Sequence, residues 1–101
     1  MDFIKLVVVL GGGAIGLLAA LVFSTYGYRN IQIAETNPVR RKLLGGLGDF
    51  SPYDPLTIGP ADASVDVVLD AVGSGITRKA SSAMVRPGGV IVHIGLQDSK
   101  P

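Results

Sequence analysis

The hydrophobic positions of this 101-residue chain fall into short apolar runs, separated by segments that carry helix-start and helix-stop residues. The runs are rich in Val, Ile and Leu, as is typical of strands buried on both faces of a sheet. The segments between them have the lengths and ends of helices. The pattern predicts strands at residues 5–10, 30–34, 65–69 and 90–94, a weak strand near Phe50, and helices at residues 14–25, 38–44 and 76–85.

Local signals mark the ends of the predicted helices. Gly27 is a C-cap candidate for the first helix, and Asn37 followed by Pro38 suits the start of the second. Repeated strand–helix units of this kind predict an α/β fold: a doubly wound parallel sheet of about five strands with right-handed crossovers. We interpret residues 1–101 as a single domain.

One connection departs from this pattern. Residues 52–64, which follow the weak third strand, contain Pro52, Pro55, Gly59 and Pro60, and these argue against a helix. The crossover helix expected at this place is therefore predicted to be missing. We expect part of one sheet face to lose its cover, which would leave the first and second strands exposed.

The first strand leads directly into G-x-G-x-x-G at Gly11, Gly13 and Gly16. Gly11 allows a tight turn, Gly13 leaves room for a pyrophosphate, and Gly16 lets the next helix approach the sheet closely. The helix N-terminus offers unpaired N–H groups to an anion. Glu35 follows 19 residues after Gly16, where a carboxylate can accept both ribose hydroxyls of an adenine dinucleotide. Together these signals predict a dinucleotide-binding site.

The same region has a competing interpretation as a membrane segment. Residues 6–28 carry no charge, a bilayer span needs roughly 20 residues, and Gly12 and Gly16 form a G-x-x-x-G motif. The start of the chain also weakly resembles a signal peptide. Against both, three consecutive glycines would each weaken a spanning helix by about 1 kcal/mol relative to Ala, and the chain continues as an α/β pattern. We expect no membrane segment.

Composition narrows the functional classes. A formal net charge of +1 gives no basic stripe for nucleic acid, and the cations Arg29, Arg40, Arg41 and Lys42 are typical of a solvated helix face. The chain has no cysteine, which excludes disulfides and thiolate metal sites and agrees with a cytoplasmic protein. A hydrophobic content of 48% is enough to build one core.

Four blocks of sequence occur in the order VVVLGGGAIGLLAALV, ETNPVRRKLL, VDVVLDAVGSG and VRPGGVIVHIGL. They resemble the cofactor domain of the zinc-type medium-chain alcohol dehydrogenases, and the resemblance covers nearly the whole chain. It implies a Rossmann domain that binds NAD(H) for hydride transfer in an oxidoreductase. NADP is disfavoured because the Glu35 carboxylate would repel a 2′-phosphate, a preference that Arg40 and Arg41 soften.

The resemblance also implies which residues contact the cofactor. The first block would form the pyrophosphate turn, the second would bind the adenosine ribose, and the residues after the fourth and fifth strands would flank the cofactor and its nicotinamide. The residues at these positions are Gly11, Gly13, Ala14, Ile15 and Gly16; Glu35 and Arg40; Ala71, Val72 and Gly73; and Ile94, Gly95 and Leu96.

Compared with this family, we expect the chain to lack the catalytic lobe. In the family that lobe supplies the zinc ligands, two of them typically cysteines, and a proton relay, and a sixth strand extends the sheet. We expect a truncated cofactor module without catalytic or metal residues, which does not turn over an alcohol alone. Its apolar strands and an open edge at residues 90–94 predict self-association, or contact with the missing lobe.

Two other functions stay open. An S-adenosylmethionine-dependent methyltransferase also uses a glycine turn and an acid after the second strand, although it typically has an acid just before the glycines, where Leu10 stands here. A non-catalytic nucleotide-sensing module would equally lack catalytic groups.

Five further residues have both a functional and a structural interpretation. His93, the only histidine, could relay protons, but its position in the last strand favours a structural or partly exposed residue. Asp70 could be a catalytic carboxylate, although capping the next loop is favoured. Tyr26 and Tyr28 could stack on a base, but they lie at the wrong end of the sheet, which favours packing. For Arg40, contact with the ribose and a solvated position on the second helix are equally favoured.

Overall fold

A computed structural model of the protein describes residues 6–11 and 13–94, which form a parallel sheet with helices on both faces. The elements are, in chain order, β1 (Val7–Leu10), α1 (Ala14–Thr25), β2 (Ile31–Ala34), α2 (Pro38–Leu44), β3 (Ser51–Tyr53), β4 (Val65–Asp70), α3 (Gly75–Met84) and β5 (Val85–His93).

The sheet of the described residues has five parallel strands in the order β3-β2-β1-β4-β5. This confirms the predicted doubly wound sheet. The chain winds outward from β1 through β2 to β3 and then in the other direction from β4 to β5, so the switch point lies between β1 and β4. Leu10, Ala34 and Asp70 end three adjacent strands in register. Ligands of such sheets bind at the carboxyl ends of the strands beside this switch point.

The core has two parts, one on each face of the sheet. Val7 and Val9 of β1 belong to the cluster under α1 and α2, whereas Val8 and Leu10 belong to the cluster under α3. All four residues of β1 are buried, as expected of a central parallel strand. Each helix contributes a buried side chain: Ala20 from α1, Leu44 from α2 and Met84 from α3.

Residues 54–64 connect β3 to β4 and contain no helix, as predicted. The connection begins with a turn in which Asp54 Oδ1 accepts a hydrogen bond from Leu56 N at 3.0 Å. The expected exposure of β1 and β2 is wrong, since Leu10 and Ala34 are 4% and 5% exposed. The reason is that Leu10 and Ala34 pack in one cluster with Met84 and Ala80 of α3 and with Tyr53 of β3. Residues of the connection line a cavity beside them.

The last strand begins earlier than predicted. α3 leads directly into β5, so residues 86–89, which lie between the predicted helix and the predicted strand, belong to the strand. The register with β4 shifts between Val85 and Val90, and the residues between them form a bulge. Arg86 donates to the buried carboxylate of Asp66 on β4, which anchors the bulge to the sheet.

The uncharged stretch of residues 6–28 divides into β1 and the 12-residue α1. Within the part of the chain that the structure describes, no helix is long and apolar enough to cross a membrane. Tyr28 packs edge-on against Phe23 with ring centroids 5.6 Å apart, as predicted. The packing prediction is wrong for Tyr26, which is 77% exposed because it is the C-cap residue where the chain leaves α1.

Candidate functional site

The turn from β1 into α1 contains two glycines that leave no room for a side chain. Gly11 has a φ of +103°, and a Cβ there would lie 2.8 Å from Val72 Cγ2. A Cβ on Gly16 would overlap the carbonyl oxygen of Gly11. The first turn of α1 therefore packs directly on the end of β1, which is the close approach that the fingerprint predicts.

Gly13 differs because the space beside it is open. It is the N-cap of α1 in an extended conformation, and no described side chain caps this helix. A Cβ on Gly13 would meet no described atom within 4 Å. The first-turn N–H groups, at Ala14, Ile15 and Gly16, have no acceptor within the helix, and the helix dipole adds positive potential there. This end of α1 therefore fits a phosphate group.

Glu35 follows β2 and has a fixed, buried carboxylate. It is 5% exposed, and its Oε2 accepts a hydrogen bond from Asn37 N at 2.8 Å. Asn37 in turn caps α2, because its Oδ1 accepts from Val39 N at 2.9 Å and from Arg40 N at 3.0 Å. The Arg40 guanidinium lies 3.4 Å from Glu35 Oε1, and its side chain is 52% exposed. The start of α2 thus orients both a carboxylate and a cation.

Arg41 has a structural position that its sequence context did not indicate. Its Nη1 donates to the carbonyl oxygen of Glu35 at 2.8 Å and lies 3.3 Å from that of Thr36. The same nitrogen is 3.8 Å from Asp54 Oδ2. Arg41 therefore ties the loop after β2 to the loop after β3, and Arg40 is the cation beside the Glu35 carboxylate.

Asp70, at the end of β4, is fully buried and organises the loop that follows. Its Oδ1 accepts from Val72 N at 3.0 Å and from Gly73 N at 2.8 Å. Its Oδ2 lies 3.1 Å from Thr77 Oγ1 and 2.9 Å from His93 Nδ1. Burial by itself would raise the pKa of Asp70, but these hydrogen bonds outweigh burial and lower the pKa below its ordinary value. The loop-capping interpretation of Asp70 is confirmed.

These elements surround one cavity of about 870 Å³ at the carboxyl ends of β1, β2 and β4. The cavity continues along α3 as far as Met84, beneath the connection between β3 and β4. The predicted site residues that line it are Gly11, Gly13, Ala14, Ile15, Gly16, Glu35, Arg40, Ala71 and Val72.

Two of the predicted site residues that the structure describes, Gly73 and Ile94, do not line this cavity. The N–H of Gly73 is bound to Asp70, and Ile94 packs against the cluster under α1 while its N–H donates to the Asp70 carbonyl at 2.9 Å. Gly95 and Leu96 lie outside the described residues.

One wall of the cavity was not predicted. It comes from β3, the following connection and α3, and includes Tyr53, Pro55, Leu56, Ile58, Ile76 and Ala80. Burial raises the pKa of Tyr53 to about 12, so its hydroxyl is neutral at physiological pH. A sequence motif could not reveal this wall, because the position of the connection depends on the folded sheet beneath it.

No three His, Cys, Asp or Glu side chains within residues 6–11 and 13–94 are arranged to hold a metal ion.

Comparison with known proteins shows which proteins share this fold. No family model matches the chain. It is 31% identical over 93 residues to glucose 1-dehydrogenase 2 of Vulcanisaeta moutnovskia (strain 768-28), covering 90% of this chain and 26% of that protein. It is 30% identical to the solved structure of the alcohol dehydrogenase TADH from Thermus sp. ATN1, with a TM-score of 0.83, covering 96% of this chain and 31% of that one.

A third relative was crystallised with a dinucleotide. The structure of a protein described as a zinc-binding dehydrogenase of Sinorhizobium meliloti 1021, bound to NADP, aligns with a TM-score of 0.81 at 26% identity, over 99% of this chain and 33% of that one. The chain thus spans about a quarter to a third of the length of these relatives. The fold is that of a doubly wound nucleotide-binding domain. The resemblance to the cofactor domain of the zinc-type alcohol dehydrogenases is confirmed.

The lowered pKa of Asp70 predicts how stability depends on pH. Between the native pKa and the ordinary value of 3.8, the unfolded chain binds more protons at this position than the native one. The Asp70 contribution is therefore fully present above pH 3.8 and is lost as the pH falls through the lower native value. We expect Asp70→Asn to lower stability at neutral pH and to flatten the acid limb of the stability curve. Urea unfolding at a series of pH values measures both effects. An acid limb that is unchanged in Asp70→Asn would contradict a lowered native pKa at Asp70.

Proposed function

We propose that this cavity binds an adenine dinucleotide, NAD(H) in preference to NADP(H), and that the chain is the cofactor domain of an alcohol dehydrogenase-like oxidoreductase. The observation that carries the proposal is the open space beside Gly13 at the uncapped start of α1, with a buried carboxylate on the neighbouring strand end. A phosphate fits the first feature and ribose hydroxyls fit the second.

Each group of residues has a distinct role in this proposal. Gly11, Gly13, Ala14, Ile15 and Gly16 would form the pyrophosphate turn. The Glu35 carboxylate would accept the hydroxyls of the adenosine ribose, with Arg40 beside it. Ala71, Val72 and Gly73 would flank the cofactor, and Ile94, Gly95 and Leu96 would lie on the nicotinamide side.

The preference for NAD(H) rests on the position of Glu35. A buried carboxylate held by Asn37 N repels a 2′-phosphate, and desolvation strengthens that repulsion. Arg40 weakens the preference because its half-exposed guanidinium can turn toward a phosphate, whereas Arg41 is held by backbone carbonyls. The S. meliloti relative was solved bound to NADP, so NADPH is included in the binding tests below.

The contribution of this chain to hydride transfer is to hold and orient the cofactor. When bound, the nicotinamide ring accepts or donates the hydride. In the family the catalytic lobe holds the zinc, and we assign substrate binding and proton transfer to such a lobe. We also assign the protein to the cytoplasm.

An exposed edge supports self-association or contact with that lobe. β5 is the outermost strand on its side of the described sheet. Its Val90 and Val92 are 52% and 42% exposed. An edge strand with exposed apolar side chains can pair with a second chain.

The pyrophosphate turn is tested by Gly13→Val. The φ of −74° at Gly13 is accessible to valine and the space beside it is open, so the fold should persist. We expect NADH affinity to fall by at least about 100-fold, because several charge-assisted hydrogen bonds of about 1.5–3 kcal/mol each would be blocked.

Calorimetry with NADH measures this loss of affinity, and a parallel titration with S-adenosylmethionine tests the methyltransferase alternative. Gly75→Val is the matched control, since Gly75 also has open space at a helix start but lies outside the cavity lining. Unchanged affinity in folded Gly13→Val would refute the proposal.

Cofactor choice is tested at Glu35. Glu35→Ala should weaken NADH binding by about ten- to a hundredfold and narrow its advantage over NADPH, because a charge-assisted hydrogen bond is worth about 1.5–3 kcal/mol. Glu35→Gln keeps an acceptor for Asn37 N but removes the charge, so it should narrow the advantage with a smaller loss of NADH affinity. Fluorescence titration with both cofactors gives the ratio of NADH affinity to NADPH affinity. The same ratio in the wild-type protein, Glu35→Ala and Glu35→Gln would mean that Glu35 does not contact the ribose.

The edge of β5 is tested by light scattering at micromolar concentration. We expect the isolated chain to form a dimer and Val90→Lys to shift it to monomer, since a charged side chain on an edge strand opposes pairing. Val39→Lys, at a 69% exposed position on α2, is the control and should leave the dimer intact. A monomeric wild-type chain would exclude this interface.

A further inference from the structure

His93, the only histidine of the chain, lies beside Asp70 across two neighbouring strands. The two residues are paired in the β4–β5 register, and His93 Nδ1 is 2.9 Å from Asp70 Oδ2. The His93 side chain is 37% exposed, whereas that of Asp70 is fully buried. A partly exposed ring is therefore hydrogen-bonded to a buried carboxylate.

The protonation of Asp70 determines which ring nitrogen carries hydrogen. The pKa of Asp70 is lowered, so the group is an ionised carboxylate at neutral pH and can only accept hydrogen bonds. The Nδ1 atom of His93 must then be the donor. In the neutral ring this leaves Nε2 without a proton.

Asp70 links this ring to the wall of the cavity. While Oδ2 faces His93, Oδ1 holds the backbone N–H groups of Val72 and Gly73. Gly73 has a φ of +78°, which turns the loop back across the strand ends. Val72 Cγ2 in turn occupies the space that a Cβ on Gly11 would need, 2.8 Å from that position. A continuous set of contacts therefore runs from His93 through one carboxylate to the turn proposed to hold the pyrophosphate.

This geometry points to His93 as a positioning residue for cofactor binding, acting through the Asp70 carboxylate on the loop of Ala71–Gly73. The inference rests on the proposed function, since a loop that lines the cavity matters for binding only if the dinucleotide binds there. Thr77 Oγ1 lies at the same carboxylate oxygen, 3.1 Å away, but it is also hydrogen-bonded within the α3 capping box. Without His93, Oδ2 would keep only Thr77, which is shared with the helix cap, and the orientation of the carboxylate would be held less tightly.

The tautomer of His93 provides a direct test that needs no cofactor. Because the chain has one histidine, a ¹⁵N spectrum of the labelled protein at alkaline pH reports this neutral ring alone. We expect hydrogen on Nδ1 in the wild-type protein. In Asp70→Asn the side-chain amide can donate to Nδ1, and the hydrogen should move to Nε2. Hydrogen on Nε2 in the wild-type protein would overturn the inference.

The second test measures the loop and the affinity together. His93→Ala should speed amide exchange at Val72 and Gly73 about fivefold in the cofactor-free chain and weaken NADH binding about three- to tenfold, the size of one modest hydrogen bond. His93→Asn places an amide donor where Nδ1 lies and should restore both values to within about twofold. Val92→Ala, which truncates a half-exposed neighbour on β5, controls for loss of strand packing.

The outcomes separate this inference from the proposed function. If wild-type protein fails to bind NADH while His93→Ala still speeds amide exchange at Val72 and Gly73, the cofactor assignment is wrong. The positioning of the loop by His93 then stands. If wild-type protein binds NADH but His93→Ala matches Val92→Ala in exchange and affinity, the positioning role is wrong.

Discussion

The close approach of α1 to the end of β1 is the constraint on which the rest of this molecule depends. The first turn of the helix rests on the carbonyl of Gly11, and a single methylene on Gly16 would overlap that oxygen. This contact directs the axis of α1 across the sheet and brings its uncapped N-terminus to the ends of the central strands. Gly11 itself has a φ of +103°, and a Cβ there would lie 2.8 Å from Val72 Cγ2. The glycine turn therefore brings both the start of α1 and the loop after β4 close to the end of β1.

The charges around the cavity are divided between the start of α1 and the neighbouring strand ends. The α1 terminus offers partial positive charge without a counter-charge from a side chain, since its first turn contains no acid. Acidic groups lie on the neighbouring strand ends, where backbone donors stabilise them: Asn37 N at Glu35 and the N–H groups of Val72 and Gly73 at Asp70. Hydrogen bonds of this kind stabilise the ionised form of a buried carboxylate. The result is a cleft whose centre fits an anion and whose flank fits hydroxyl donors.

The extent to which sequence predicts this structure depends on the range of the interactions. α1 and α2 begin and end where local signals place them, because a glycine turn, an Asn–Pro cap and terminal glycines act within a few residues. The fold class follows in the same way from apolar runs. The start of β5 was mispredicted because the bulge at residues 86–89 is held by Arg86 and Asp66, which are 20 positions apart. The exposure of Tyr26 and the position of Arg41 likewise depend on contacts that no short motif encodes.

The connection between β3 and β4 shows how a local departure from the fold pattern changes the site. A crossover helix would have filled the sheet face beside α3, whereas the prolines of residues 52–60 favour turns. Leu10 and Ala34 are nevertheless buried, in a cluster with Met84 of α3, so the core does not need the crossover helix. The cavity continues along α3 to Met84, and residues of the connection line it. The glycine turn therefore determines where a phosphate fits, and the connection determines how much apolar space adjoins it.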